Sequence, residues 1–156
     1  MKFRKAVVKD AVGVATVLKE CYNIGSIEGG VKTFTEESRK MHHYIVADDN
    51  GRIAGITTWK MHGLPKHGLC ELDRIALLPE YKGKGVSSVL FKALIKAANE
   101  EYKKHGSKLR KLYILTHDHN KRAQAFYIKM GMKHETVLKD HYYNGKGEFV
   151  FSRFFN

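Results

Sequence analysis

A chain of 156 residues with 43% hydrophobic content is long enough to bury a core and too short for two ordinary domains, so a single domain over residues 1–156 is expected. No apolar run approaches the roughly 20 residues a membrane-crossing helix needs, and the basic start Met1-Lys2-Phe3-Arg4-Lys5 does not lead into a signal-peptide block; a soluble, cytoplasmic protein without a membrane role is the expectation. The balance of 28 Lys and Arg against 16 Asp and Glu, a net +12, implies a polyanionic partner such as an acidic protein or a ribonucleoprotein. Cys21 and Cys70 stand far apart with no Cys-x-x-Cys pair, which argues against a disulfide framework or a structural zinc site and makes both reduced packing residues.

Along the chain, residues 2–7 alternate as a first strand, and Asp10 is placed to cap a helix with apolar positions Val12, Ala15, Val17 and Leu18, running to about Tyr22. Residues 23–30, with three glycines, read as a loop. Thr35, followed by Glu36 and Glu37, starts a short second helix ending near His42. Residues 43–47 and 52–60 pair across the turn Asp48-Asp49-Asn50-Gly51, and 61–68 form a polar loop. A strand over 69–78 precedes a long helix over 86–104 with Val89, Leu90, Leu94 and Ala97 on its apolar side. The nearly continuous apolar run Leu112-Tyr113-Ile114-Leu115-Thr116 suits a buried central strand beside the one containing Glu71. A helix over 121–130 stops at Gly131, and a last hairpin joins 136–142 to 148–155 through Asn144-Gly145. The order of elements gives an α/β domain with a mixed sheet.

Two segments carry chemistry. After the strand ending Ile75-Ala76-Leu77-Leu78-Pro79, the run Glu80-Tyr81-Lys82-Gly83-Lys84-Gly85 opens the long helix. Its glycines allow a tight curl close to a ligand, the helix start presents unpaired amides and the positive dipole end, and Lys82 and Lys84 add charge, which suits a pyrophosphate. Downstream lies Asn120-Lys121-Arg122-Ala123-Gln124-Ala125-Phe126-Tyr127-Ile128-Lys129-Met130-Gly131-Met132. In order and spacing the two segments resemble the GNAT superfamily of acetyl-coenzyme A dependent N-acetyltransferases, whose pattern is strand, proline, Tyr-Arg-Gly-x-Gly, helix, then Asn-x-x-Ala-x-x-Phe-Tyr-x-x-x-Gly. The likeness implies a GNAT-like α/β, three-layer fold whose mixed, mostly antiparallel central sheet splays between its fourth and fifth strands, and acetyl-coenzyme A as cosubstrate with no metal. Homodimers are common in that family.

The resemblance also implies roles. Ile75, Ala76 and Leu77 fall where the fourth strand gives backbone hydrogen bonds to pantetheine and the thioester carbonyl, an amide near Leu77 stabilising the oxygen that gains charge. Lys82, Gly83, Lys84, Gly85, Val86 and Ser87 fall on the pyrophosphate loop, with lysine at its first position and serine at its last as departures. Tyr127 lies where many members have a tyrosine that protonates the departing thiolate, a task a phenol with a free pKa of about 10 suits, although Ala123, Phe126 and Met130 at helical spacing make core packing an alternative. Asn120 and Phe126 belong to the cofactor side in the same likeness, and each also has an ordinary use, Asn120 as a helix cap and Phe126 as a packing residue. Glu71, four positions before Ile75, matches the glutamate base of the histone acetyltransferase branch; strand alternation groups it with Asp73, Ile75 and Leu77, while pairing with a lysine is its other use.

His117-Asp118-His119 and His42-His43 lack a third metal partner, so they read as loop histidines, His117 being a candidate proton relay. The function implied is direct transfer of acetyl to a primary amine, small amine, polyamine or protein. The tail Lys139-Asp140-His141-Tyr142-Tyr143-Asn144-Gly145 is similar to the Tyr-Tyr segment of protein N-terminal acetyltransferases. The competing readings are a coenzyme A binding regulatory module without turnover and a basic nucleic-acid-binding protein, for which no motif is present.

Overall fold

A computed structural model describes residues 1–156. Its elements are β1 (Lys2–Lys5), α1 (Ala11–Cys21), α2 (Ile27–Arg39), β2 (His43–Asp49), β3 (Arg52–His62), β4 (Leu69–Leu77), α3 (Val86–Lys104), β5 (Lys111–His117), α4 (Lys121–Lys129), β6 (Lys133–Leu138) and β7 (Glu148–Phe154). The strands form a seven-stranded sheet in the order β1-β2-β3-β4-β5-β7-β6, with β4 and β5 parallel and the other neighbours antiparallel. This is the mixed α/β architecture expected from the element order. The chain divides into two compact units, Met1–Lys60 with Arg74–Glu100, and Met61–Asp73 with Glu101–Asn156. No helix is long and apolar enough to cross a membrane.

In the first unit, β2 and β3 close a hairpin at Asn50 and Gly51, whose φ angles of 53° and 93° are those a two-residue turn of this hand requires. The Gly51 amide donates to the Asp48 carboxylate at 2.7 Å, which fixes the register. Helix α1 buries Val14, Ala15, Val17 and Leu18, whereas Val12 is 61% exposed, one step off the expected stripe. Helix α2 begins eight residues earlier than Thr35: Ser26 caps it by accepting the Gly29 amide at 2.9 Å. Gly25 lies in a loop as read, but Gly29 and Gly30 lie inside α2, where Gly30 serves packing. A Cβ on Gly30 would sit 2.8 Å from the Ala15 Cα, so only glycine lets α2 approach α1 this closely.

Asp10 stands at the start of α1, but its carboxylate does not cap that helix. It accepts the Val7 amide at 2.8 Å and two bonds from the Arg4 guanidinium at 2.7 and 2.9 Å, while Arg4 also reaches Asp48 at 2.8 Å. The Arg4 hydrogen bonds hold the Asp10 carboxyl below its ordinary value. A carboxylate depressed in the folded state stabilises above its unfolded value of about 3.9, and that stabilisation is lost as pH falls through the lower folded value. Asp10→Asn is therefore expected to cost about 2 kcal/mol at pH 7 in urea unfolding, with the deficit narrowing below about pH 4.

In the second unit, the start of β4 pairs with β5 in a short parallel ladder, Leu69–Lys111, Cys70–Leu112 and Glu71–Tyr113. The ladder ends there, although β4 continues through Leu72 and Asp73 and β5 runs to His117 while paired along its length with β7. Cys70, Leu72, Tyr102, Leu109, Leu112, Ile114, Met132 and Phe151 are buried in this unit, and the Tyr102 hydroxyl donates to the Leu69 carbonyl. The last hairpin differs from the reading of the sequence. β6 covers Lys133–Leu138, and Asn144 and Gly145 lie inside a longer connection in which Asp140, at φ 49°, ends the extended run and accepts the Gly145 amide at 2.6 Å. Of the apolar positions assigned to α3, Leu90, Leu94 and Ala97 are buried and Val89 is 43% exposed; Phe91 takes the inward position in its place.

Candidate active site

Pro79–Tyr81 forms one 3-10 turn, closed by the Lys82 amide on the Pro79 carbonyl at 3.1 Å. Gly83 and Gly85 then take φ angles of 75° and 79°, the left-handed region that side chains other than glycine rarely adopt. Nothing lies within 4 Å of a Cβ added at either position, so the need for glycine is conformational. Lys82, Gly83, Lys84 and Gly85 are exposed, while Val86 is buried and anchors the first turn of α3. The Ser88 and Val89 amides close on the Gly85 carbonyl at 3.1 and 3.3 Å. Those of Val86 and Ser87 have no carbonyl four residues back inside the helix.

Tyr81 braces the loop: its hydroxyl donates to Asp49 at 3.0 Å and its ring lies 5.9 Å from the Lys84 ammonium. Curled backbone, helix start and two flexible cations make a loop that fits a diphosphate.

The C-terminal half of β4 belongs to the same unit. Burial alternates along β4 only as far as Asp73; Arg74 and Ile75 are both half-buried, and Ala76 and Leu77 are both buried. The cause is a change of neighbours. Arg74 is drawn to Glu37 of α2 by two bonds at 2.7 and 2.9 Å, with Tyr44 donating to the same carboxylate, and Thr57 donates to the Arg74 carbonyl at 3.0 Å. A Cβ on Gly55 of β3 would stand 2.7 Å from the Ala76 carbonyl, so this glycine allows β3 to lie close against the strand. The Cys21 thiol donates to the Leu77 carbonyl at 3.2 Å.

In the second unit, α4 is capped by Asn120, whose side chain accepts the Ala123 amide at 3.2 Å, so the ordinary use of this asparagine is present. The inward face of α4 is Gln124 and Tyr127, not the Ala123, Phe126 and Met130 stripe: Tyr127 is 5% exposed and Phe126 only half-buried. Tyr127 packs against Phe126 and Phe151 with ring centroids 5.6 and 6.2 Å away. Gln124 gives a second tie that residue type alone did not signal, its amide donating to the carbonyls of His117 and Asp118 at 3.2 and 2.9 Å.

Glu71 is half-buried: its Oε2 lies 2.5 Å from the Nε2 of His62 and accepts the Tyr113 hydroxyl at 3.3 Å. Burial, then the charge and the hydrogen bond of Glu71, push the Tyr113 phenol above its ordinary value. His62 ends β3, nine residues from Glu71, and no local pattern marks it. His117 pairs with Glu148, a carboxylate 2% exposed, across the β5–β7 register, and stacks on His119 at 5.4 Å. No group of three or more His, Cys, Asp or Glu side chains is arranged to hold a metal ion.

A mixed α/β sheet whose fourth strand runs into a glycine-and-lysine turn at the head of a long helix is the frame of this site. Residues 13–132 match the model of the Acetyltransferase (GNAT) family, and the chain belongs to that family. A Bacillus subtilis (strain 168) protein provisionally named as a ribosomal protein bS18-alanine N-acetyltransferase is 28% identical over 107 residues; the match covers 68% of this chain and 63% of that protein's length. Among solved structures, a candidate acetyltransferase of the GNAT family from Desulfovibrio desulfuricans has a TM-score of 0.80 at 20% identity, covering 98% of each chain. An aminoglycoside 6'-N-acetyltransferase complexed with coenzyme A has a TM-score of 0.79 at 13% identity, covering 99% of this chain and 97% of that one.

Proposed function

We propose that the chain is one acetyltransferase domain over residues 1–156 that transfers acetyl from acetyl-coenzyme A directly to a primary amine. The observation that carries this reading is the loop at Gly83 and Gly85, with both φ angles positive and α3 beginning at Val86, in a chain of the GNAT family. In this reading Lys82, Gly83, Lys84, Gly85, Val86 and Ser87 hold the pyrophosphate, Ile75, Ala76 and Leu77 offer main chain to the pantetheine arm and the thioester, Asn120 and Phe126 border the cosubstrate, and Tyr127 gives its proton to the departing thiolate. The carboxylate of Glu71 governs removal of the proton from the attacking ammonium.

The acceptor that has support is the amine of a protein held in a polyanionic assembly. The Bacillus subtilis relative carries the name of a ribosomal protein acetyltransferase, and a net charge of +12 exceeds what one small cosubstrate requires. An α-amine, with a free pKa of about 7.7–8.0, also loses its proton far more readily than a lysine. The test is incubation with acetyl-coenzyme A and a panel of ribosomal proteins, polyamines and lysine peptides, read by thiol release and by mass spectrometry of the acceptor. Thiol release that depends on a ribosomal protein is expected. Binding of the cosubstrate without acceptor-dependent thiol would leave a coenzyme A binding module.

A further inference from the structure

We infer that the carboxylate of Glu71 acts through His62, and that Nδ1 of His62 is the atom that takes the proton from the attacking amine. This deepens the reading above and rests on it. Glu71 Oε2 stands 2.5 Å from His62 Nε2, and an ionised carboxylate offers only acceptors, so the hydrogen between them belongs to Nε2. That bond selects the tautomer in which Nδ1 keeps its lone pair. Glu71 is thus occupied on the atom that faces the imidazole, and its Oε2 also accepts the Tyr113 hydroxyl at 3.3 Å. Tyr113 is held as a donor, because burial and the Glu71 charge keep its phenol protonated. The His62 ring lies 5.7 Å from the Tyr113 ring.

The exposures grade in the same direction: the Glu71 side chain is 14% exposed and that of His62 38%. A half-buried carboxylate that orients an imidazole open to water is an arrangement for taking a proton and releasing it to solvent, with Glu71 and Tyr113 as positioning residues. The titratable groups on the elements around the pair include Lys60, two positions before His62 on β3, Cys70 and Asp73 beside Glu71 on β4, Tyr113 on β5, Tyr142 in the connection after β6, and His67, which lies against Gly63.

The step balances without any further reactant. An N–H bond of the ammonium breaks and its proton goes to Nδ1; the freed lone pair forms the C–N bond as the C–S bond breaks. The second proton lost by the nitrogen makes good the one given to sulfur, and the imidazolium returns its proton to water.

The test compares the pH dependence of kcat and kcat/KM for the unmodified chain, His62→Gln, Glu71→Gln and His62→Gly, the last with and without added imidazole. Expected is a loss of about tenfold at neutral pH in His62→Gln, below the full worth of a positioned base because water reaches this exposed position. Its acidic limb should disappear. Glu71→Gln should lower kcat yet keep an acidic limb, and imidazole should restore His62→Gly but not Glu71→Gln. A His62→Gln profile that parallels the unmodified one, or imidazole without effect on folded His62→Gly, overturns the assignment to His62. Absence of any acetyl-coenzyme A dependent turnover by the unmodified chain overturns the proposed function itself.

Discussion

Tyr127→Phe is expected to lower kcat about 100-fold while the dissociation constant for acetyl-coenzyme A changes less than about threefold. The substitution removes one hydroxyl from a side chain that is 5% exposed and packed between Phe126 and Phe151, and it keeps the ring that makes those contacts. Ring packing is therefore conserved, and a loss of rate at unchanged Tm reports the hydroxyl. A positioned general acid contributes typically 10²–10⁴-fold, and the lower end is expected where water substitutes in part. Steady-state thiol release gives the rate and calorimetry the affinity. If turnover in Tyr127→Phe equals that of the unmodified chain, the tyrosine is a core residue and another group protonates the sulfur. A fall in both quantities together with a lowered Tm would point instead to a disturbed helix α4.

Gly85→Val is expected to weaken acetyl-coenzyme A binding about 100-fold, roughly 2.7 kcal/mol, with a much smaller change in Tm. At φ 79° a β-branched residue is a conformational outlier, and relief comes by flattening the turn that directs the loop amides. The open space around the position rules out a clash as the cause, because nothing lies within 4 Å of an added Cβ. That separates two explanations which usually travel together. Asparagine tolerates the left-handed region better than alanine or valine, so affinities should fall in the order Gly85, Gly85→Asn, Gly85→Ala, Gly85→Val. If all three variants bind like the unmodified chain, this turn does not hold the cosubstrate. The exposed loop carries little of the core, so the variants should remain folded for the measurement.

Local patterning located some elements correctly and misplaced others, such as the turn at Asn144-Gly145. The Asn50-Gly51 turn, the apolar run of β5 and the glycine-lysine loop each depend on residues within a few positions of one another, and each forms where the sequence reading put it. Gly30 reads as loop when a helix-breaking residue type is weighed without its tertiary partner; Ala15 needs the space that a side chain there would fill. Val12 and Val89 show the complementary limit, since a helical stripe several residues wide leaves its edge positions undecided until the neighbours are known. On α4 the same ambiguity exchanged Phe126 for Tyr127 as the inward ring. His62 was out of reach for a different reason: its significance comes from a cross-strand contact, and no spacing rule connects the end of β3 with Glu71 and Tyr113.

The two thiols of this chain are chemically unequal, and that inequality offers a handle. Cys70 is fully enclosed and its thiol is driven far upward by burial, so it stays inert to alkylating dyes. Cys21, half-buried at the end of α1 and bonded to the Leu77 carbonyl, is raised by burial as well but meets solvent. A thiol-selective alkylating reagent would therefore attach at Cys21 without any mutagenesis, and the alkylated sulfur, having no hydrogen left to donate, would release the carbonyl of the final residue of β4.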